Sequence, residues 1–61
     1  MKKGTRIRLK VPTIGGWKGE AIVVEEYPSG TVEFLKKGDK LDEYGRSYCY
    51  ACRHEVSVIK H

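Results

Sequence analysis

No stretch of this chain approaches the roughly 20 consecutive apolar residues that carry a helix across a bilayer. The opening Met1-Lys2-Lys3 runs into Gly4-Thr5-Arg6 rather than an apolar core. No secretory leader is therefore expected, no membrane partner either, and the cytoplasm is the expected compartment. Also missing are a glycine-rich phosphate loop, a Ser/His/Asp arrangement in plausible context and a His-x-x-x-His pair. Repeats, linkers and low-complexity tracts are lacking, and no helical period is sustained. At 61 residues the chain is one domain, residues 1–61, with the basic residues 1–4 open to disorder. A domain this small buries only about 60% of the surface its unfolded form exposes. Little room is left for a deep catalytic cavity. The expectation is a non-enzymatic module without a cofactor, working through its surface.

Charge of one sign is also missing locally. Residues 1–19 carry Lys2, Lys3, Arg6, Arg8, Lys10 and Lys18 and no acid; residues 20–33 carry Glu20, Glu25, Glu26 and Glu33 and no base. With a net charge of +4 and a pI near 9.2, such segregation gives a dipolar surface that can steer a polyanion to one side. The competing reading is a solvated surface whose opposite charges pair across neighbouring strands.

What is present is strand pattern. Around Trp17, two glycines (Gly15, Gly16) close a loop, and a third, Gly19, opens the β-branched run Ile22-Val23-Val24. Gly19 at a strand entrance suggests a close backbone approach or a sharp bend. Thr5 to Val11 alternates, with Ile7, Leu9 and Val11 on one face and Arg6, Arg8 and Lys10 on the other, until Pro12 ends the strand. A second strand is expected over residues 20–26. After the Tyr27-Pro28-Ser29-Gly30 turn a third follows over residues 31–35, with Val32 and Phe34 inward. Residues 36–45 read as an exposed polar loop. A fourth strand is expected over residues 47–53, with Tyr48 and Tyr50 on one face. A short connection, Arg53-His54-Glu55, then leads to a last strand, Val56 to Ile59. The expected core is Ile7, Leu9, Ile22, Val24, Val32, Phe34 and Val56.

Five short antiparallel strands with an early long loop and one tight hairpin describe an all-β protein closed into a small barrel, which removes exposed edges. Gly4-Thr5-Arg6-Ile7-Arg8-Leu9, Trp17-Lys18-Gly19-Glu20-Ala21-Ile22-Val23 and Val56-Ser57-Val58-Ile59 resemble the Src-homology-3-like barrels, a superfamily that includes KOW and Tudor modules. The Trp-Lys-Gly-x-Ala run also looks like the DNA-binding barrel that ends retroviral integrases. The resemblance spans roughly residues 4–60 and implies a fold. Its members bind RNA, DNA, ribosomes, polymerases, modified tails or proline-rich peptides, so it implies binding without choosing the ligand. A remote analogy is the plasmid-borne dihydrofolate reductase, a tetramer of small barrels. Its Gln-Ile-Tyr strand is matched here by Tyr48-Cys49-Tyr50, without the glutamine.

Two constellations could carry chemistry. Cys49 and Cys52 have the spacing of a zinc knuckle, with His54 and His61 nearby. In an extended strand, however, positions i and i+3 face opposite ways. The favoured reading is therefore two reduced thiols, at least one buried, with no metal. The aromatics Trp17, Tyr27, Tyr44, Tyr48 and Tyr50 fall in or beside loops and on one strand face, interleaved with lysines and arginines, as stacking on bases or gripping a proline-rich ligand requires. Trp17 serves equally as a cap on the barrel end, with its ring buried and its N–H reaching water. The expected function is binding of nucleic acid, DNA or RNA, or of a nucleoprotein machine. Arg6, Arg8 and Lys10 would contact phosphates, Trp17 and Lys18 would extend the site, and Tyr44, Tyr48 or Tyr50 would stack. The alternative is a protein-interaction module, such as a small regulator or inhibitor of a host enzyme encoded by a mobile element. There Glu20, Glu25, Glu26 and Glu33 would meet a basic protein partner.

Overall fold

Extended structure follows where the β-branched residues concentrate. A computed structural model describes residues 1–59. Its strands are β1 (Arg6–Leu9), β2 (Glu20–Glu26), β3 (Thr31–Lys36), β4 (Tyr50–Cys52) and β5 (Val56–Val58), with a 3₁₀ turn, Arg53–Glu55, between the last two. All pairings are antiparallel, in the spatial order β4-β3-β2-β1-β5. The chain is all-β, as the sequence predicts. The turn between β2 and β3 closes as expected: Gly30 takes φ +89°, and its N–H reaches the Tyr27 carbonyl at 3.0 Å.

The sheet is not closed. β4 and β5 form no ladder with each other and remain edges of one five-stranded sheet. Each has only three residues, and the 3₁₀ turn spends the intervening chain on changing direction rather than on pairing. β1 also stops short of Val11. After Leu9 the Lys10 N–H turns to the Glu55 carbonyl at 2.8 Å, and Val11 lies exposed instead of buried. β4 is likewise shorter than the expected 47–53, which leaves Tyr48 outside any strand.

The core consists of Ile7, Leu9, Ala21, Val23, Val32, Phe34 and Val56. The face of β2 is therefore opposite to the one expected: Ala21 and Val23 point inward, while Ile22 is 43% exposed. Residues directly opposite in an antiparallel pair share a face. Ile7 pairs with Ala21 and Val23 with Phe34, so the inward faces of β1 and β3 dictate that of β2. The three apolar residues Ile22-Val23-Val24 offered no alternation from which to choose. A register shift between Val23 and Glu25 bends β2 there, as β-bulges do.

Small residues on the inner face of β2 make room for rings. Trp17 stacks on Phe34 with centroids 5.9 Å apart and planes 20° apart. A Cβ added to Gly19 would stand 3.1 Å from Cζ2 of Trp17. The close approach expected at Gly19 is thus made by an indole rather than by another backbone. Gly19→Ala is expected to cost about 1 kcal/mol by overpacking and to shift the Trp17 emission spectrum. An unchanged spectrum and melting temperature would mean that the ring does not rest there.

Candidate functional site

Most of the acidic residues are engaged within the fold. Glu20 stands opposite Arg8 in the β1–β2 register. Its carboxylate accepts from Arg8 at 3.0 Å and from Arg6 at 3.4 Å, and its pKa is lowered, chiefly by Arg8. Glu26 pairs with the N-terminal amine. Glu55 accepts the Cys52 N–H at 2.8 Å. Glu33 is only 2% exposed. It accepts the Tyr27 hydroxyl at 2.6 Å and both the N–H and the hydroxyl of Ser47 at 3.2 Å. Glu25, Asp39 and Glu43 remain at the exposed surface.

Among the described residues, Arg6 and Arg8 are the side-chain cations in ion pairs. Of the two readings of the segregated charge, pairing across neighbouring strands is the one seen at β1, where Glu20 meets Arg8 and Arg6. Sequence distance separates Arg8 from Glu20, but strand pairing brings them together. Lys10 and Lys18 are exposed and lie outside the strands. Lys36 stands over the Trp17 ring, its Nζ 5.4 Å from the centroid. Trp17 itself caps the core as a half-buried ring, one of the two roles expected for it.

The tyrosines owe their placement to two carboxylates. Asp42 makes a local turn: Oδ1 accepts the N–H of Tyr44 at 2.9 Å and of Arg46 at 2.8 Å. Its pKa is lowered chiefly by the Tyr48 hydroxyl and then by the Arg46 N–H. Glu33 then pins the end of this loop through Ser47. Between the two anchors the chain presents Tyr44 (76% exposed); Tyr48 (64% exposed) directly follows Ser47, and Tyr50 (46% exposed) opens β4. Tyr48 takes φ +58°, a region that bulky L-residues rarely adopt.

Tyr48 and Tyr50 share a groove with the first loop. One compartment of about 350 Å³ is floored by Leu9 and walled by Pro12, Ile14, Tyr50 and Ala51. A second, of about 310 Å³, adjoins it at Thr13, Ile14 and Tyr50 and continues past Tyr48 to Lys36. The loop is held closed by Trp17, whose backbone N–H reaches Thr13 Oγ1 at 3.1 Å and whose carbonyl accepts the Thr13 N–H at 2.8 Å. Arg6 and Arg8 do not line this groove, and neither Tyr44 nor Lys18 appears in its walls.

Sequence reasoning missed the groove wall formed by Pro12, Thr13 and Ile14, although an isoleucine set between threonine and glycine in a loop was a visible signal. It also missed Glu33, which reads as surface charge on a strand and is buried by a loop. Cys49 is half-buried and Cys52 exposed, and both are free thiols. Among the described residues no three His, Cys, Asp or Glu side chains converge as metal ligands; His61 lies outside the described residues. No described helix is long and apolar enough to cross a membrane. No family model, curated protein or solved structure matches the chain.

Proposed function

We propose that the chain is a non-catalytic module that binds nucleic acid, with the Src-homology-3-like architecture suggested by its sequence. The observation that supports this reading is electrostatic. Glu20, Glu26, Glu33, Asp42 and Glu55 are occupied by intramolecular partners, whereas Lys10, Lys18, Lys36, Arg46 and Arg53 make no ion pair among the described residues. Those cations without an ion-pair partner, together with the net charge of +4, leave a surface that attracts a polyanion. The same engagement weakens the acidic-patch alternative, since Glu20, Glu26 and Glu33 are already committed.

The phosphate contacts shift accordingly from Arg6 and Arg8, which share the one carboxylate of Glu20, toward Lys10, Lys18 and Lys36. Each lysine that neutralises a phosphate of a single strand contributes about −0.7 to the slope of log K against log salt. Anisotropy of a labelled oligonucleotide is therefore expected to show affinity falling steeply with salt. Changing Lys10, Lys18 and Lys36 together to glutamine should flatten the slope by about two units. Purified protein should also lose 260 nm absorbance on a high-salt wash. Absence of binding at low salt, or an affinity indifferent to salt, would sink the proposal.

A further inference from the structure

We infer that the groove between residues 11–15 and residues 48–52 holds a single strand of nucleic acid, with its bases stacked on the rings of Tyr48 and Tyr50. This inference rests on the nucleic-acid reading above and narrows it to one site and one form of ligand. In a duplex the base faces are buried against each other, and only edges and backbone are offered. A single strand exposes its base faces, and aromatic side chains bind them with little regard to sequence.

The geometry favours base faces over a bare phosphate track. Two phenol rings stay largely exposed along one groove, with Ile14 on its opposite wall. Tyr50 borders both compartments, so two adjacent sites share one ring. Tyr48 is held at φ +58°. Such a conformation costs free energy and persists only where the surroundings impose it. Here the surroundings are Asp42, beside the Tyr48 hydroxyl, and Ser47, bound to Glu33. Arg46 faces Tyr50. The rings are thereby set before any ligand arrives, which lowers the ordering cost of binding.

Charge complementarity selects the occupant. Lys36 lines one end of the groove, and Lys10 and Lys18 flank the loop that forms its wall. Glu55, the acid in the lining, borders the first compartment and keeps its negative charge, so the phosphates are placed along the second, toward Lys36. An anionic chain with flat, apolar units meets both features of this groove.

The test compares a labelled oligothymidylate with a duplex of equal length at fixed salt. The single strand should bind about tenfold tighter or more. Tyr48→Ala with Tyr50→Ala should cost the single strand about fivefold or more per ring and leave duplex binding unmoved. Tyr48→Phe with Tyr50→Phe keeps both stacking faces but removes the hydroxyls that hold them, so its affinity should fall between those of the parent and the double alanine variant. As a measurement that needs no variant, ultraviolet crosslinking of oligothymidylate to the parent chain should place adducts on Tyr48 or Tyr50. Equal affinity for both forms, or adducts confined to other residues, overturns the groove assignment while salt-dependent binding stands. Competition by a proline-rich peptide, without crosslinking at either tyrosine, overturns it in favour of a peptide site. Failure of both nucleic-acid forms to bind at low salt removes the broader reading as well.

Discussion

Phe34→Ala is expected to destabilise the protein by about 3–5 kcal/mol, the usual cost of truncating a buried phenylalanine. Phe34 is fully buried, lies on an interior strand and faces Val23 across the ladder. Its loss also removes the ring on which Trp17 rests, 5.9 Å away. The cavity would thus open beneath a half-exposed indole, and water would reach it readily. At about 0.05–0.15 kcal/mol per residue, a chain of this length has only about 3–9 kcal/mol to lose. Most of the fold's stability therefore hangs on this side chain. Urea or thermal unfolding measures the loss, and Trp17 emission should move to longer wavelength before the main transition. Phe34→Leu keeps most of the volume and gives a readable intermediate if the alanine variant is unfolded. Melting of Phe34→Ala within a few degrees of the parent would place the core elsewhere.

The dependence on one aromatic pair explains which parts of the fold were legible in the sequence. The bounds of β2, and of β3 to within one residue, could be read because β-branched residues stop at turn chemistry on both sides. The face of β2 could not be read, because Ile22, Val23 and Val24 look alike and only pairing with Ile7 and Phe34 distinguishes them. A one-residue change of register inverts a strand's faces, so local pattern alone cannot settle an uninterrupted apolar run. The fourth strand failed for a related reason. Its alternating tyrosines suggested a ladder, but Tyr48 is turned to positive φ by contacts with residues five or more positions away.

The candidate site was legible by composition and not by position. Tyr48 and Tyr50 do share a surface, though they reach it from a loop and a strand rather than from one strand face. Arg6 and Arg8 do stand outward on β1, but half of their charge is offset by Glu20, a partner that only the register supplies. Local alternation places residues on faces; tertiary pairing decides which charges remain for a partner.

Glu33→Gln should remove about 1.5–3 kcal/mol at neutral pH, the worth of hydrogen bonds to a buried charged acceptor. Glutamine is nearly the same size, so packing is kept and only the acceptors change. The ionised carboxylate takes the Tyr27 hydroxyl on one oxygen and the Ser47 N–H and hydroxyl on the other. An amide supplies one oxygen and sets its NH₂ group against a donor. The carboxyl pKa is held below its ordinary 4.5, chiefly by the Tyr27 hydroxyl and then by Ser47, against the opposing effect of burial. A carboxylate lowered in the folded state contributes stability above its ordinary value, and that contribution is lost as the pH falls through the lowered one. The parent should therefore lose stability below about pH 4.5, and the Glu33→Gln variant should lose less. Part of the acid slope persists in the variant, because Glu20, Glu26, Asp42 and Glu55 are also lowered. The Tyr27 phenol supplies an independent readout. Its pKa is raised above 10.0, chiefly by the bond to Glu33, so its share of stability is present below that value and lost as the pH climbs through the raised one. In Glu33→Gln one tyrosine should ionise nearer its ordinary pH in an ultraviolet titration. Equal neutral-pH stability, an unchanged acid slope and an unchanged tyrosine titration would together show that Glu33 does not anchor the loop. The presentation of Tyr44 and Tyr48 would then need another cause.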